Sequence, residues 1–100
     1  DDLRDYMHVI DICRALKTVM DKGELNSIYN IASGNPLPFR EILEMVRDNL
    51  GSSSEFIPTE TPRFNQLVQP KNVSLNVDKL KSLNFSPSIG LDEGLKIICQ

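Results

Sequence analysis

The chain has 100 residues, a formal net charge of −3, 40% hydrophobic residues and 25% charged ones. This is the length and composition of one small globular domain, able to bury roughly 60–68% of the surface its unfolded form exposes. The mixed charge lacks the basic stripe of a nucleic-acid binder, no apolar run approaches the roughly 18 residues of a membrane span, and the start at Asp1-Asp2 has no basic leader region, so a cytoplasmic protein without nucleic-acid or membrane partners is expected.

The run Arg4-Asp5-Tyr6-Met7-His8-Val9-Ile10-Asp11 opens an amphipathic helix expected over residues 9–22. Val9, Ile12, Cys13, Leu16, Val19 and Met20 recur at helical spacing, with Arg14, Lys17 and Asp21 on the other face. Gly23 stands where a left-handed C-terminal residue is wanted. Residues 27–32, with Ile28, Tyr29 and Ile31, read as a strand. They run into Ser33-Gly34-Asn35-Pro36, a strong turn signal. Pro38 suits the first turn of a second helix, whose apolar stripe is Phe39, Ile42, Leu43, Val46 and Leu50. Gly51 is placed to cap its C-terminal end.

Residues 52–54 form a serine loop, and 55–57 are a brief strand candidate. Residues 58–72 show no periodicity. They hold Pro58, Pro62 and Pro70, the amides Asn65, Gln66, Gln69 and Asn72, and the cations Arg63 and Lys71. A long irregular loop in a small domain is often functional. Residues 73–75 read as a strand. Asn76 is a plausible N-cap for a short helix that turns Val77, Leu80 and Leu83 inward. A last helix is expected over 91–99, with Asp92 and Glu93 in its first turn and Leu91, Leu95 and Ile98 inward. Cys13 and Cys99 read as reduced, buried small hydrophobes, because a disulfide scaffold of this size carries more cysteines.

Chemistry that a self-sufficient enzyme needs is missing from the pattern. The glycines at 23, 34, 51, 90 and 94 are too scattered to cradle a pyrophosphate. No Tyr-x-x-x-Lys occurs, since Ile10 and Ser33 follow Tyr6 and Tyr29 by four residues. One histidine, His8, excludes a histidine-based metal cluster. His8 reads as a structural residue beside a helix start, and Asp11 as a first-turn carboxylate favoured by the helix dipole. The acidic pairs Asp1-Asp2 and Asp92-Glu93 lie where a terminus and a helix start want them. Tyr6 and Tyr29 read as core or half-buried aromatics, and Asn30 as a hydrogen-bond partner of the turn after it. Without further context Arg4 is a solvated cation before a helix, paired with Asp1 or Asp5.

Arg4 to Asp11, followed by Tyr29-Asn30-Ile31-Ala32-Ser33-Gly34, resembles the C-terminal third of the nucleotide-sugar epimerases and dehydratases, the extended short-chain dehydrogenase/reductase family. The resemblance runs on to Leu91-Asp92-Glu93-Gly94-Leu95. It departs at Pro38 and Gly90, where hydroxyl caps are common, and at Asn76-Val77-Asp78-Lys79-Leu80, where Asp-x-Ser-Lys-Ala is typical. It implies a mixed α/β fold: a small substrate-binding domain of about four helices and a few short strands, without the Rossmann core. Residues 1–35 would correspond to the last helix and edge strand of the cofactor domain, and 36–100 to the substrate-binding subdomain.

The resemblance further implies that Arg4 reaches the diphosphate of a nucleotide-sugar. A planar, permanently charged guanidinium suits that task. Arg63 would be the second diphosphate cation, and Gln66 or Gln69 would lie near the ribose or base, with Lys71 a further substrate contact. NAD(P) and the catalytic Tyr-x-x-x-Lys would belong to the full-length parent, and this chain would bind no cofactor and turn nothing over by itself. A rival expectation is a non-catalytic module from a truncated gene that self-associates, because the strand at 27–32 would leave an open edge. A small regulatory nucleotide-binding domain lacks any glycine-rich signal.

Overall fold

A computed structural model describes residues 2–100, so Asp1 and its expected pairings lie outside the described residues. Five helices and one two-stranded ribbon follow one another as β1 (Leu3–Arg4), α1 (Val9–Lys22), β2 (Leu37–Pro38), α2 (Phe39–Leu50), α3 (Arg63–Val68), α4 (Asp78–Lys81) and α5 (Leu91–Ile98). β1 and β2 are antiparallel, with Leu3 opposite Pro38 and Arg4 opposite Leu37. The result is the expected mixed α/β arrangement, with one helix more than the sequence pattern suggests.

The two long helices have the expected bounds for visible reasons. His8 caps α1, its Nδ1 accepting from the Ile10 N–H at 3.1 Å. Gly51, at φ 64°, ends α2 in the left-handed conformation. Its N–H donates to the Asp48 carbonyl while the Ser52 N–H donates to the Arg47 carbonyl, both at 3.1 Å, which satisfies the last orphan carbonyls. Pro38 precedes α2 without a side-chain cap. The Asp2 carbonyl supplies an acceptor instead, taking the Phe39 N–H at 2.8 Å.

Gly23 is not left-handed. It is extended, at φ −68° and ψ 152°, and glycine is required there because a Cβ would lie 2.5 Å from the Val19 carbonyl oxygen. Residues 27–32, 55–57 and 73–75 are not strands, since no neighbouring strand pairs with them among the described residues. Asn30 does not serve its own turn either; its Nδ2 donates to the Asn76 carbonyl. The turn at 33–35 is held by Asp5, whose carboxylate accepts from the Ser33 N–H, the Ser33 hydroxyl and the Gly34 N–H at 2.6–3.1 Å. Gly34 takes φ 79°. The two motifs that read as a pair are thus physically joined. The segment expected to be irregular contains α3, a helix too short for periodicity to reveal.

The core is small. Ala15, Ala32, Val77, Leu80 and Phe85 are buried together, with Met7, Val19 and Ile31 packed against them. The inner face of α1 is therefore Asp11 and Ala15, with Val19 at its edge, and most of the apolar stripe faces outward. Val9, Leu16 and Met20 are exposed, and so are Cys13, Tyr6 and Ile98. Cys13 and Cys99 are free thiols. The slab measures 47 × 35 × 16 Å, with a radius of gyration of 16.1 Å, against about 13 Å for a self-contained domain of this length. Its accessible surface of 7629 Å² exceeds the roughly 5,700 Å² of a folded monomer of this mass.

Candidate functional site

Three carboxylates and one guanidinium organise the ends of α1 and β1. Asp11 is the most enclosed, with no accessible surface. Its oxygens accept from Arg14 at 2.7 Å, from the Ser88 hydroxyl and N–H at 3.0–3.2 Å and from the Ile89 N–H at 2.9 Å. Burial pushes its carboxyl up, but the backbone donors of Ile89 and Ser88, followed by Arg14 and the Ser88 hydroxyl, more than reverse this and take it to about 2. With all its lone pairs committed, Asp11 has nothing to offer a reaction. It is a clasp between α1 and the segment before α5, a larger structural role than a dipole-favoured first-turn carboxylate.

Arg4 is also committed. Its Nη1 donates to the Leu3 and Lys71 carbonyls, each at 2.8 Å, and its Nη2 donates to the Pro70 carbonyl at 3.2 Å. The expected pairing with Asp5 does not form, because Asp5 serves the turn, and the expected pairing with Asp1 lies outside the described residues. Among the described residues the nearest carboxylate is Asp2, with Oδ2 3.7 Å from Nη2. Two backbone links extend the seam. The Asn72 Oδ1 accepts from the Leu3 N–H at 3.0 Å, and the Val73 N–H donates to the Leu3 carbonyl at 2.9 Å. β1 is therefore stitched to the chain that leaves α3.

This seam borders a groove of ≈500 Å³ lined by Asp2, Thr61, Asn65, Gln66, Gln69, Pro70 and Lys71. Gln66, Gln69 and Lys71, all singled out in the sequence, meet there. Asn65 and Gln66 stand four and three residues before Gln69, so one side of α3 turns toward the groove. Gln66 is braced by its Nε2, which donates to the Thr61 carbonyl at 2.6 Å. Arg4 stands behind Asp2, Pro70 and Lys71 rather than in the wall, and Arg63 lies outside the lining. Asp2, Thr61 and Asn65 were not singled out. For Asp2 a signal existed: two residues before Arg4 in an extended segment, it shares a side with it.

The largely apolar cavity of ≈330 Å³ between α2, α5 and residues 6–8 has Tyr6 and His8 as its lining side chains with polar atoms, and the Nδ1 of His8 is already engaged by the Ile10 N–H. No group of three or more His, Cys, Asp or Glu residues is placed to hold a metal ion among the described residues. The residues do not fit a dinucleotide either. Gly34 and Gly94 are packed against Val77 and His8, and no glycine loop joins a strand to a helix N-terminus here. No described helix is long and apolar enough to cross a membrane.

Comparison with known proteins gives this geometry a context. No family model matches the chain. A low-salt glycan biosynthesis protein of Haloferax volcanii is 27% identical over 95% of this chain and 30% of its own length. A protein of Methanocaldococcus jannaschii described as a UDP-glucose 4-epimerase is 29% identical over 93% of this chain and 28% of its own. The chain thus spans less than a third of the curated relatives it matches. Among solved structures, RMD of Pseudomonas aeruginosa, complexed with NADPH, superposes with a TM-score of 0.85 at 23% identity, over 99% of this chain and 32% of that one. The dTDP-glucose 4,6-dehydratase of Bacillus anthracis, complexed with NAD, gives 0.74 at 25% identity, over 95% and 29%. In sequence and in fold, then, this chain is a relative of the nucleotide-sugar epimerases and dehydratases of the extended short-chain dehydrogenase/reductase family, with the fold of part of their C-terminal domain.

Proposed function

We propose that this chain is the nucleotide-sugar-binding C-terminal region of an NAD(P)-dependent sugar-nucleotide epimerase or 4,6-dehydratase of carbohydrate biosynthesis, an isomerase or lyase of the cytoplasm. One observation carries the reading. Two stretches singled out for ligand contact, 67 residues apart, meet where Arg4 holds the carbonyls of Pro70 and Lys71 beside the amide-lined groove. In this reading Arg4 and Lys71 neutralise the diphosphate, which is costly to bury unpaired. Gln66 and Gln69 take the ribose or base, and Arg63 closes over the ligand from the start of α3. Residues 1–35 belong with the cofactor domain and 36–100 with the substrate. The Rossmann half, with its NAD(P) and catalytic Tyr-x-x-x-Lys, is supplied by the rest of the parent, and its sheet covers α1 and pairs with residues 27–32. The surface excess of the slab and the exposure of Leu25 and Ile28 support a missing cover. The chain alone has no turnover.

Calorimetric titration with UDP-, dTDP-, GDP- and CDP-sugars tests this. Binding that is preferential for one base and weakened at least tenfold by Arg4→Ala or Lys71→Ala is expected. Heat that is indifferent to the base and to both substitutions contradicts it.

A second reading rests on the same open surface. Among the described residues no strand pairs with 27–32, and Leu25 just before this segment and Ile28 within it are 92% and 84% exposed, so two copies pairing through it would make a homodimer without catalysis. Sedimentation equilibrium distinguishes it: a monomer across a wide concentration range removes this alternative.

A further inference from the structure

Asp2 is the groove residue that a diphosphate site has no use for, since a carboxylate repels the ligand. Its position gives it a role. Arg4 cannot swing out to meet an anion, because its Nη1 is engaged by the Leu3 and Lys71 carbonyls and its Nη2 by the Pro70 carbonyl. An anion must come to the guanidinium, and Asp2 flanks the approach, with Oδ2 3.7 Å from Nη2. That distance is longer than a hydrogen bond, so the contact is a loose ion pair. The Asp2 backbone is fixed, its carbonyl holding the Phe39 N–H at 2.8 Å, while its side chain is half exposed and has room to rotate. Asp2 and Lys71 are the charged residues of the lining. The wall is therefore neutral while Asp2 faces inward and cationic once it turns away.

We propose that Asp2 is a resident competitor for Arg4, a carboxylate that holds the anion subsite in the ligand-free chain and rotates out when a diphosphate enters. This rests on the nucleotide-diphosphate reading above and adds a specificity element to it. Asp2 sets an electrostatic threshold that weakly charged anions do not cross, and it lowers the affinity for every phosphate ligand.

The test is calorimetric titration of the chain with inorganic pyrophosphate at low ionic strength, using Asp2→Asn, Arg4→Ala and their double variant. Arg4→Lys, which keeps the charge but not the fork, stands in should Arg4→Ala fail to fold. Asp21→Asn on α1 controls for net charge. Asp2→Asn is expected to bind about two- to five-fold more tightly, the size of an exposed ion pair. The gain should vanish in the Arg4→Ala background and be absent from Asp21→Asn. Unchanged or weaker binding by Asp2→Asn, with Arg4→Ala still impaired, overturns the gate and leaves the groove reading standing. An equal gain from Asp21→Asn also overturns it, as a net-charge effect. Pyrophosphate binding that is absent, or indifferent to Arg4, overturns the groove reading and the gate together.

Discussion

The two sides of α1 differ in a direction opposite to the usual rule. The side packed into the protein carries Ala15, the carboxylate of Asp11 and the partly buried Val19, while the side facing water carries Val9, Leu16 and Met20, the last 84% exposed. A small residue and a saturated carboxylate allow close approach to the segment before α5, where the Ser88 and Ile89 N–H groups need an acceptor. An apolar stripe left in water marks a surface meant to be covered. The amphipathic pattern of this helix thus follows the exposed side more than the core, as the proposed cover over α1 requires.

The comparison breaks most visibly at the inner side. Asp11→Ala removes the acceptor of four donor groups and leaves two backbone N–H groups buried, so a loss of about 3–5 kcal/mol is expected in urea unfolding. A loss under about 0.5 kcal/mol, the scale of a neutral surface change, would show that the clasp is ornamental. Leu80→Ala, at the centre of the small core and 2% exposed, should cost about 2–4 kcal/mol by the same measurement.

The inner carboxylate also gives the fold an acid limit. Its folded value of about 2 lies below the ordinary 3.8. Asp11 therefore stabilises the fold fully above the ordinary value and loses that contribution as pH falls from about 4 to about 2. Urea midpoints across this range should decline more steeply in the parent chain than in Asp11→Asn, and parallel declines would refute the assignment. At the outer side, Leu16→Ser and Met20→Ser should change the stability of the isolated chain by no more than about 0.5 kcal/mol, while reducing any concentration-dependent association seen by sedimentation. A larger loss would mean that this stripe packs within the chain.

What the sequence revealed follows the same division. α1 and α2 were legible because their signals are local: 3.6-residue periodicity, His8 before the first turn and Gly51 after the last. Strands at 27–32, 55–57 and 73–75 were not, because a strand exists only through its neighbour, and apolar alternation such as Ile28 and Ile31 does not reveal whether that neighbour is present. α3 escaped because six residues between Pro62 and Gln69 are too few to display a stripe. Cys13 was read as buried from the apolar face on which it lies, and that face turned out to point outward. Among the groove residues, Gln66, Gln69 and Lys71 were singled out through the family resemblance, whereas Asp2 required attention to the two-residue period beside Arg4. The engagement of Arg4 with the Pro70 and Lys71 carbonyls depends on a contact across 66–67 residues, which no local pattern carries.

The most direct test of the account is a chemical-shift map of the chain titrated with UDP-, dTDP-, GDP- and CDP-sugars, repeated with Arg4→Ala. The account requires shifts at Asp2, Arg4 and residues 61–71 for one base above the others, with the outer side of α1 silent and the response lost in the variant. Shifts confined to α1 or to the apolar cavity between α2 and α5, or a dispersed spectrum unmoved at millimolar ligand, would contradict it.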